Sequence, residues 1–247
     1  MRMVCVGVIG LGLLSAQVAA DMVSLAPNLD NTLYQSATGS LSNAKGQHLF
    51  SGLNGSGIKR RAVLSFDVAG SIPAGSTITG ATLTVNVSSG STGFFDISLY
   101  RTLASWGEGT SAATGAEGNG APSTPGDATW THRFFDTTNW ATAGGDFDPT
   151  SRATTSIGPA GTYAWTSTAL MVADVQSWLD APGGNFGWLV SGGEDSAGSA
   201  KRFGSRENVD PAQRPVLTVT YVVPSPATIF LSLGTLAVAT RRGRTSR

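Results

Sequence analysis

Short segments in which apolar and polar residues alternate constrain the fold of this chain more than any other feature of its sequence. The clearest runs place apolar residues on one face at Ala62, Leu64, Phe66 and Val68, and again from Ala81 to Val87. Turn-forming residues separate the runs, and the chain holds 32 Gly and 11 Pro. This pattern predicts half-buried antiparallel strands. Further strands are predicted at 95–100, 186–190 and 216–222.

One segment has helical rather than strand periodicity. Apolar residues recur from Ala169 to Asp180 at the spacing of one helix face, namely at Met171, Val172, Val175, Trp178 and Leu179. Ser167 or Thr168 is the expected N-cap, and Pro182 follows the expected end. The long stretch from Gly107 to Asp127 is so rich in Gly, Ala, Ser and Thr that we expect a surface loop. The prediction is an all-β, antiparallel β-sandwich with one short α-helix.

The two ends of the chain have the character of targeting segments. Residues 1–20 combine Arg2, a short apolar run and the small residues Val18-Ala19-Ala20, which predicts a cleaved signal peptide. An uncleaved membrane helix is the alternative, although the run is shorter than the roughly 20 residues that span a bilayer. Residues 224–247 hold a Pro-Ser-Pro motif, an apolar run and an Arg cluster.

This C-terminal segment resembles the PEP-CTERM sorting signal, with Ser225 where that signal has Glu. The resemblance implies processing by an exosortase, a location at the cell surface after secretion, and membrane contact only through the tail. An apolar run that ends in arginines is also typical of a stop-transfer segment. A C-terminal core strand or helix is the alternative. We therefore expect one domain over residues 21–223.

Charge and cysteine content bound the function of this domain. Five of the 16 basic residues lie in the two ends, so residues 21–223 hold 11 Lys and Arg against 16 Asp and Glu, a net charge of −5. This balance does not favour a nucleic-acid partner. The single cysteine, Cys5, lies in the predicted signal peptide, so the domain has no disulfide and is expected to depend on its core or on a bound ion.

Four pieces of the sequence, in this order, resemble the DNRLRE (disaggregatase-related) domain, whose members overlap with carbohydrate-binding modules. The pieces are the strand 61–68 with Ile72-Pro73-Ala74-Gly75 and Ala81-Thr82-Leu83; Ser105-Trp106-Gly107-Glu108-Gly109-Thr110; Asp174–Leu179 with Asn185-Phe186-Gly187-Trp188; and Phe203–Glu207 before Arg214–Val219. The resemblance covers roughly residues 30 to 222 and implies a jelly-roll-like fold. It also implies an accessory role, beside polysaccharide-degrading domains or on cell surfaces.

The residues themselves give no catalytic constellation. His48 and His132 are the only histidines, and neither has the spacing of a metal pair or of a Ser-His-Asp set. Two carboxylate pairs, Asp146/Asp148 and Glu194/Asp195, are present, but a glycosidase requires a defined separation that a sequence does not give. Asp146 and Asp148 are instead candidates for a structural calcium ion. The alternative is that they form and cap a turn beside Gly144-Gly145.

Aromatic and basic residues are the candidates for ligand contact. Of the six tryptophans, Trp106, Trp130 and Trp140 lie in loop-rich sequence, and Trp106 and Trp140 are candidate sugar contacts. Packing at the edge of the sandwich is the alternative. The basic candidates fall into two segments, Lys59-Arg60-Arg61 and Lys201-Arg202 with Arg206. If these segments are neighbours, they suit the carboxylates of an acidic polysaccharide. Alternatively, Arg206 and Glu207 form an internal ion pair.

We therefore predict a secreted, surface-retained, non-catalytic module that binds a polysaccharide or cell-envelope glycan, with an acidic polysaccharide as the candidate that the basic residues favour. The alternative from a different class is a structural protein of the cell envelope or extracellular matrix that has no soluble glycan ligand. A polysaccharide lyase or hydrolase is a minor alternative, because a fold does not fix a function.

Overall fold

The structure, a computed structural model, describes residues 20–224. Nearly all of the predicted signal peptide and of the predicted sorting tail lies outside these residues. No helix within residues 20–224 has the length and apolar character needed to cross a membrane.

Fifteen strands and one α-helix form the described part of the chain. The helix, α1, spans Ala169–Asp180, and 3₁₀ turns lie at Pro182–Gly184 and Pro211–Gln213. The strands are β1 Asp21–Leu25, β2 Leu29–Tyr34, β3 Leu41–Ser42, β4 His48–Leu53, β5 Lys59–Ser65, β6 Thr77–Gly90, β7 Phe95–Thr102, β8 Ala121–Pro122, β9 His132–Phe134, β10 Thr138–Asn139, β11 Phe147–Ile157, β12 Gly161–Trp165, β13 Trp188–Gly192, β14 Lys201–Gly204 and β15 Val216–Val222. The prediction of a mostly β protein with one short helix is confirmed.

Eleven strands form one large antiparallel sheet that curls into a half-barrel. Its order is β1-β15-β6-β14-β4-β5-β13-β7-β11, with β12 also paired to β6 and β2 also paired to β5. Strand β4 joins the two halves: its residues 48–51 pair with β14, whereas Gly52 and Leu53 pair with β5. Gly52 has a φ of 112°, which side-chain-bearing residues rarely adopt. The glycine therefore permits the change of partner.

The main core lies between the two halves of the curled sheet. Leu83, Val85 and Leu217 come from one half, and Leu64 and Ile97 come from the other. These residues belong to the alternating runs of the sequence, so period-2 patterning directs one face of each strand inward. Each large side chain that is fully buried contributes roughly 1.5–3 kcal/mol to the free energy of unfolding.

Helix α1 closes this core at the predicted residues. Thr168 is its N-cap, and the Thr168 side chain accepts a hydrogen bond from the Met171 amide. The buried face carries Met171, Val175, Trp178 and Leu179, and it also carries Asp174, whose carboxylate accepts bonds from Trp188 Nε1 at 2.8 Å and Arg152 Nε at 2.9 Å. The helix is thus attached to the sheet by apolar packing and by one buried charge.

A second core lies under the long connections between β7 and β11. Trp106, Trp130 and Trp140 pack there against Leu33 and Leu189. The stretch Gly107–Asp127, predicted as a surface loop, contains only the short strand β8, but it buries the side chains of Glu108, Ser111, Glu117 and Asp127. Its polar composition conceals this burial, because Glu108 and Glu117 accept hydrogen bonds from distant segments, while Asp127 accepts its bonds from the nearby Thr124.

Candidate functional site

Two adjoining cavities over β4, β5 and β14 form a continuous depression, which we call the Arg60 groove. Their volumes are about 200 and 380 Å³, and they share Asn54, Arg60, Ala116 and Gly118. The smaller cavity is also lined by Phe50, Ser89, Gly90, Ala200, Lys201 and Arg202, and the larger by Thr114, Glu117, Asn119 and Gly120. The smaller cavity has no acidic residue in its lining.

Strand pairing brings the two predicted basic segments to this groove. Arg202 lies opposite Phe50 of β4 and opposite Ser89 of β6, while Arg60 of β5 lies opposite Gly52 at the other end of β4. The segments are therefore neighbours through β4. Sequence reasoning did not find Phe50, Asn54 or the 114–120 loop, since these residues join the groove only through strand pairing and loop packing.

Arg60 is held rigidly in the floor of the groove. Its side chain is buried, with 5% of the residue exposed. Nε donates to the Gly118 carbonyl and Nη1 donates to the Ile58 carbonyl, each at 2.9 Å. The guanidinium carbon lies 5.3 Å from the centre of the Tyr34 ring. Burial lowers the pKa of Arg60, but the group stays charged at neutral pH because arginine normally titrates far above it.

Arg202 supplies the accessible cation of the groove. Its side chain is half-buried, and Nε donates to Ser88 Oγ at 3.0 Å. Among residues 20–224, neither Arg60 nor Arg202 has a carboxylate oxygen within 4.0 Å. Two guanidinium groups that no internal carboxylate neutralises therefore line one concave surface, and such a surface attracts anions.

Lys201 contributes its backbone to the groove but uses its charge internally. The residue is fully buried, and Nζ donates to the carbonyls of Ser91, Gly93 and Gly158, the last at 2.6 Å. Burial lowers the pKa of this ammonium group. The lysine therefore connects the β6–β7 turn to the β11–β12 turn and is not placed to contact a ligand.

Lys59 and Arg61 lie outside the groove, and both form ion pairs with the carboxylate of Glu194. Glu194 accepts bonds from Arg61 Nε at 2.7 Å and from Arg61 Nη2 at 2.9 Å, and Lys59 Nζ lies 2.9 Å from it. Burial alone raises the pKa of Glu194, but the bonds from Arg61, Ser191 and Lys59 outweigh it and hold the pKa at about 2. Glu194 is thus ionised at neutral pH, whereas a glycosidase acid requires a raised pKa.

Arg206 forms the internal ion pairs that the sequence left open. Its Nε donates to Glu108 Oε1 at 2.7 Å, and its Nη2 lies 3.0 Å from Glu207 Oε1. Lys45 also contacts Glu108 and Glu207. Carboxylate oxygens of Asp30, Glu108 and Glu207 lie within 4.8 Å of one another. We call these three acids with Lys45 and Arg206 the acidic cluster.

The donors in the acidic cluster leave few oxygens for a metal ion. Both oxygens of Glu108 accept bonds from Lys45 or Arg206, and Asp30 Oδ2 accepts a bond from the Arg206 amide at 2.7 Å. The buried oxygens without a partner are Asp30 Oδ1 and Glu207 Oε2. Calcium takes six to eight oxygen ligands, so two free oxygens are too few to hold it. Two carboxylate oxygens can instead share one proton. Burial, followed by the charge of Glu207, raises the pKa of Asp30 well above its usual range.

Both calcium candidates predicted from the sequence, Asp146 and Asp148, accept hydrogen bonds from within the protein. Asp146 accepts from the amides of Ala141 at 2.9 Å and Thr142 at 2.8 Å, which is the turn-forming arrangement that the sequence allowed as the alternative. Asp148 lies in β11 and accepts from the Thr150 amide and from Arg152, and these bonds lower its pKa to about 2.

The two tryptophans predicted as sugar contacts are buried in the second core, each with 5% of the residue exposed. Trp106 Nε1 donates to the Phe186 carbonyl and Trp140 Nε1 donates to the Thr129 carbonyl, both at 2.9 Å. Neither lines the Arg60 groove. Of the predicted site residues, the structure thus brings together Arg60, Lys201 and Arg202, and it separates Lys59, Arg61, Trp106, Trp140 and Arg206 from them.

Comparison with known proteins adds no relative to this picture. No family model matches the sequence, and no curated protein matches it either.

Proposed function

We propose that this protein is a non-catalytic module that binds an anionic polysaccharide in the Arg60 groove. The observation that carries the proposal is that Arg60 and Arg202 line one groove and have no carboxylate within 4.0 Å among residues 20–224. Guanidinium groups bind carboxylate and sulfate groups in a planar, bidentate manner. The rest of the domain is acidic, so this groove is a local exception to its net charge.

The groove offers more than charge to a sugar acid. Asn54, Ser89 and Asn119 supply donors and acceptors for hydroxyl groups, and Phe50 supplies an apolar wall. Arg60 is fixed by the Gly118 and Ile58 carbonyls, so its positive charge is held in place beneath the groove. We assign direct contact with the anion to Arg202 and long-range attraction to Arg60.

The module is proposed to be exported and retained at the cell surface, in keeping with the character of its two ends. In this proposal the curled sheet is a jelly-roll-like sandwich of the kind that the DNRLRE resemblance implies, and β4 is the strand that turns from one sheet to the other. The role is accessory rather than catalytic, a view that the fully ionised, tightly paired Glu194 supports.

Affinity electrophoresis of the full chain in gels that contain polygalacturonate tests the proposal. We expect retardation that weakens at high salt, because exposed charges are screened. Arg202→Gln should abolish most of the retardation. Arg133→Gln is the matched control: Arg133 is also half-buried without a carboxylate within 4.0 Å in the described part of the chain, but it bonds Ser105 and does not line the groove.

The alternative, a structural envelope protein, makes the opposite prediction. It requires that the wild-type chain migrate equally with and without every polymer, and that result would overturn the binding proposal. Calcium stays a prediction, which repetition of the gels with calcium and with chelator addresses. A retardation that only calcium permits would require a bound ion and a different account of the anion contact.

A further inference from the structure

A second concave surface lies on the opposite face of β5 from the Arg60 groove, because its β5 residue, Arg61, follows Arg60 directly and successive side chains of a strand point to opposite faces. It extends over the strands β5, β13, β7 and β11. It is a cavity of about 410 Å³, within the range of small-molecule and sugar pockets. We call it the Tyr100 trough. Its lining consists of Arg61, Asp96, Ser98, Tyr100, Phe147, Pro149, Ser191, Gly192, Gly193, Glu194 and Asp195.

Strand register gives the trough a floor of hydroxyl groups. Ser191 of β13 lies opposite Ser98 of β7, and Ser98 lies opposite Thr154 of β11. Ser98 Oγ and Thr154 Oγ1 are 2.7 Å apart, and Ser191 Oγ donates to Glu194 Oε1 at 2.6 Å. These side chains are hydrogen-bonded to one another and therefore preorganised, so few rotamers are lost when a ligand binds.

An aromatic pair forms one wall of the trough. The rings of Tyr100 and Phe147 lie with centroids 5.2 Å apart and planes tilted by 53°. Both side chains are half-buried. Aromatic surfaces of this kind pack against the CH-rich faces of pyranose rings, while the tyrosine hydroxyl keeps a polar handle.

The charge of the trough differs in sign from that of the Arg60 groove. Lys59 and Arg61 neutralise Glu194. Asp96 and Asp195 are exposed, and neither has a basic nitrogen within 4.0 Å among residues 20–224. These free carboxylates repel a polyanion and accept hydrogen bonds from sugar hydroxyls. The ligand that fits is therefore an uncharged glycan.

We propose that the Tyr100 trough is a second binding site, for a segment of uncharged polysaccharide. Tyr100 and Phe147 pack against a sugar face, and Asp96 and Asp195 accept hydrogen bonds from its hydroxyl groups. The proposal goes beyond the anion-binding function and does not depend on it, since the two sites share none of their lining residues.

The test is affinity electrophoresis of the full chain in gels that contain glucomannan, xyloglucan or mixed-linkage β-glucan, with polygalacturonate gels in parallel. We expect at least one uncharged polymer to retard the wild-type chain. The double variant Asp96→Asn/Asp195→Asn should bind that polymer about tenfold more weakly, because hydrogen bonds to ionised acceptors contribute roughly that factor. Its retardation in polygalacturonate, measured relative to its own mobility in a polymer-free gel, should equal that of the wild type.

Asp136→Asn is the matched control. Asp136 is exposed in the β9–β10 turn, outside the trough, and its φ of 66° is one that Asn adopts readily. Tyr100→Ala serves as a second, more severe variant, and near-ultraviolet circular dichroism establishes whether it is folded. Equal mobility of the wild type with and without all three uncharged polymers would overturn the proposal. So would retardation that the double variant and Asp136→Asn share unchanged. Loss of polygalacturonate binding by Arg202→Gln bears only on the Arg60 groove.

Discussion

Buried ionisable side chains connect distant segments of this chain, because each requires polar partners that come from far along the sequence. Lys201 meets carbonyls of residues 91, 93 and 158. Glu117 accepts bonds from the amides of Gln47 and His48 and from the Asn43 side chain. At the scale of single residues, these groups give the long connections their conformation. Apolar content alone does not explain it.

Asp30 leads to a prediction about pH. Its pKa is raised by burial and by Glu207, so the folded protein keeps a proton that the unfolded chain loses above about pH 4. The stabilisation is fully present below the unfolded pKa and is lost as pH rises through the folded pKa. Asp30→Asn imitates the protonated form. The melting temperature of the wild type relative to Asp30→Asn should therefore fall as the pH rises from about 4 to about 8.

Thermal unfolding of both proteins across that pH range makes the comparison. Groups with lowered pKa values, such as Glu194, contribute to both curves alike and cancel in the difference. Parallel curves would show that Asp30 does not hold the extra proton in the folded protein.

At the scale of elements, β4 and α1 determine how the halves of the sheet enclose the core. Strand β4 changes partner at Gly52, and α1 is held to β11, β7 and β13 through Asp174. A local sequence pattern predicts α1, whereas β4 is not among the strands predicted from the sequence. Their attachments depend on contacts between residues far apart in sequence.

Gly52→Ala tests the junction in β4. A Cβ at this position lies 2.9 Å from the Ala200 Cα, and the φ of 112° adds backbone strain. Gly57→Ala is the control. Gly57 also has a positive φ, 73°, but no other atom lies within 4 Å of the position that its Cβ would occupy. In urea denaturation, Gly52→Ala should lose about 1–3 kcal/mol more than Gly57→Ala. Equal losses of unfolding free energy in the two variants would show that the contact between the added Cβ and the Ala200 backbone does not constrain position 52.

Asp174→Ala tests the attachment of the helix. The substitution removes the carboxylate shared by Arg101, Arg152 and the Trp188 indole, so it should lower the free energy of unfolding by about 3–5 kcal/mol. Asp180→Ala, at the exposed end of the same helix, should cost under about 1 kcal/mol. Similar losses for the two variants in chemical denaturation would show that α1 is held by its apolar face alone.

At the scale of the whole molecule, the sequence predicts where helices and strands lie in the chain better than it predicts which of them lie side by side in the fold. The stripe from Met171 to Leu179 is a local pattern, and the helix forms at the predicted residues. The strand predicted from Phe186 begins instead at Trp188, because Gly187 has a φ of 73° and a Cβ there lies 1.9 Å from the Leu64 carbonyl oxygen. Arg60 and Arg202 are 142 positions apart, and only the pairing of β14 and β5 with β4 makes them neighbours.

The same reasoning explains the tryptophans and the acids. Trp106, Trp130 and Trp140 have no periodic neighbours in sequence, so nothing local indicates that they form a second core with Leu33 and Leu189. The sequence around Glu108 is typical of a surface loop, yet Glu108 forms ion pairs with Lys45 and Arg206, which lie far from it on either side in the sequence. The local periodicity of a sequence does not predict contacts between residues so far apart in the chain.

Calorimetric titration measures whether Arg202 in the Arg60 groove binds an anionic sugar. A galacturonic acid oligosaccharide is titrated into the full wild-type chain, Arg202→Gln and Arg133→Gln at one salt concentration. We expect Arg202→Gln to bind about tenfold or more weakly than the wild type, because a lost charge-assisted hydrogen bond changes the affinity by that order. Arg133→Gln should bind as tightly as the wild type. Equal affinity of Arg202→Gln and the wild type, or no heat of binding to the wild type, would show that Arg202 does not bind this anion.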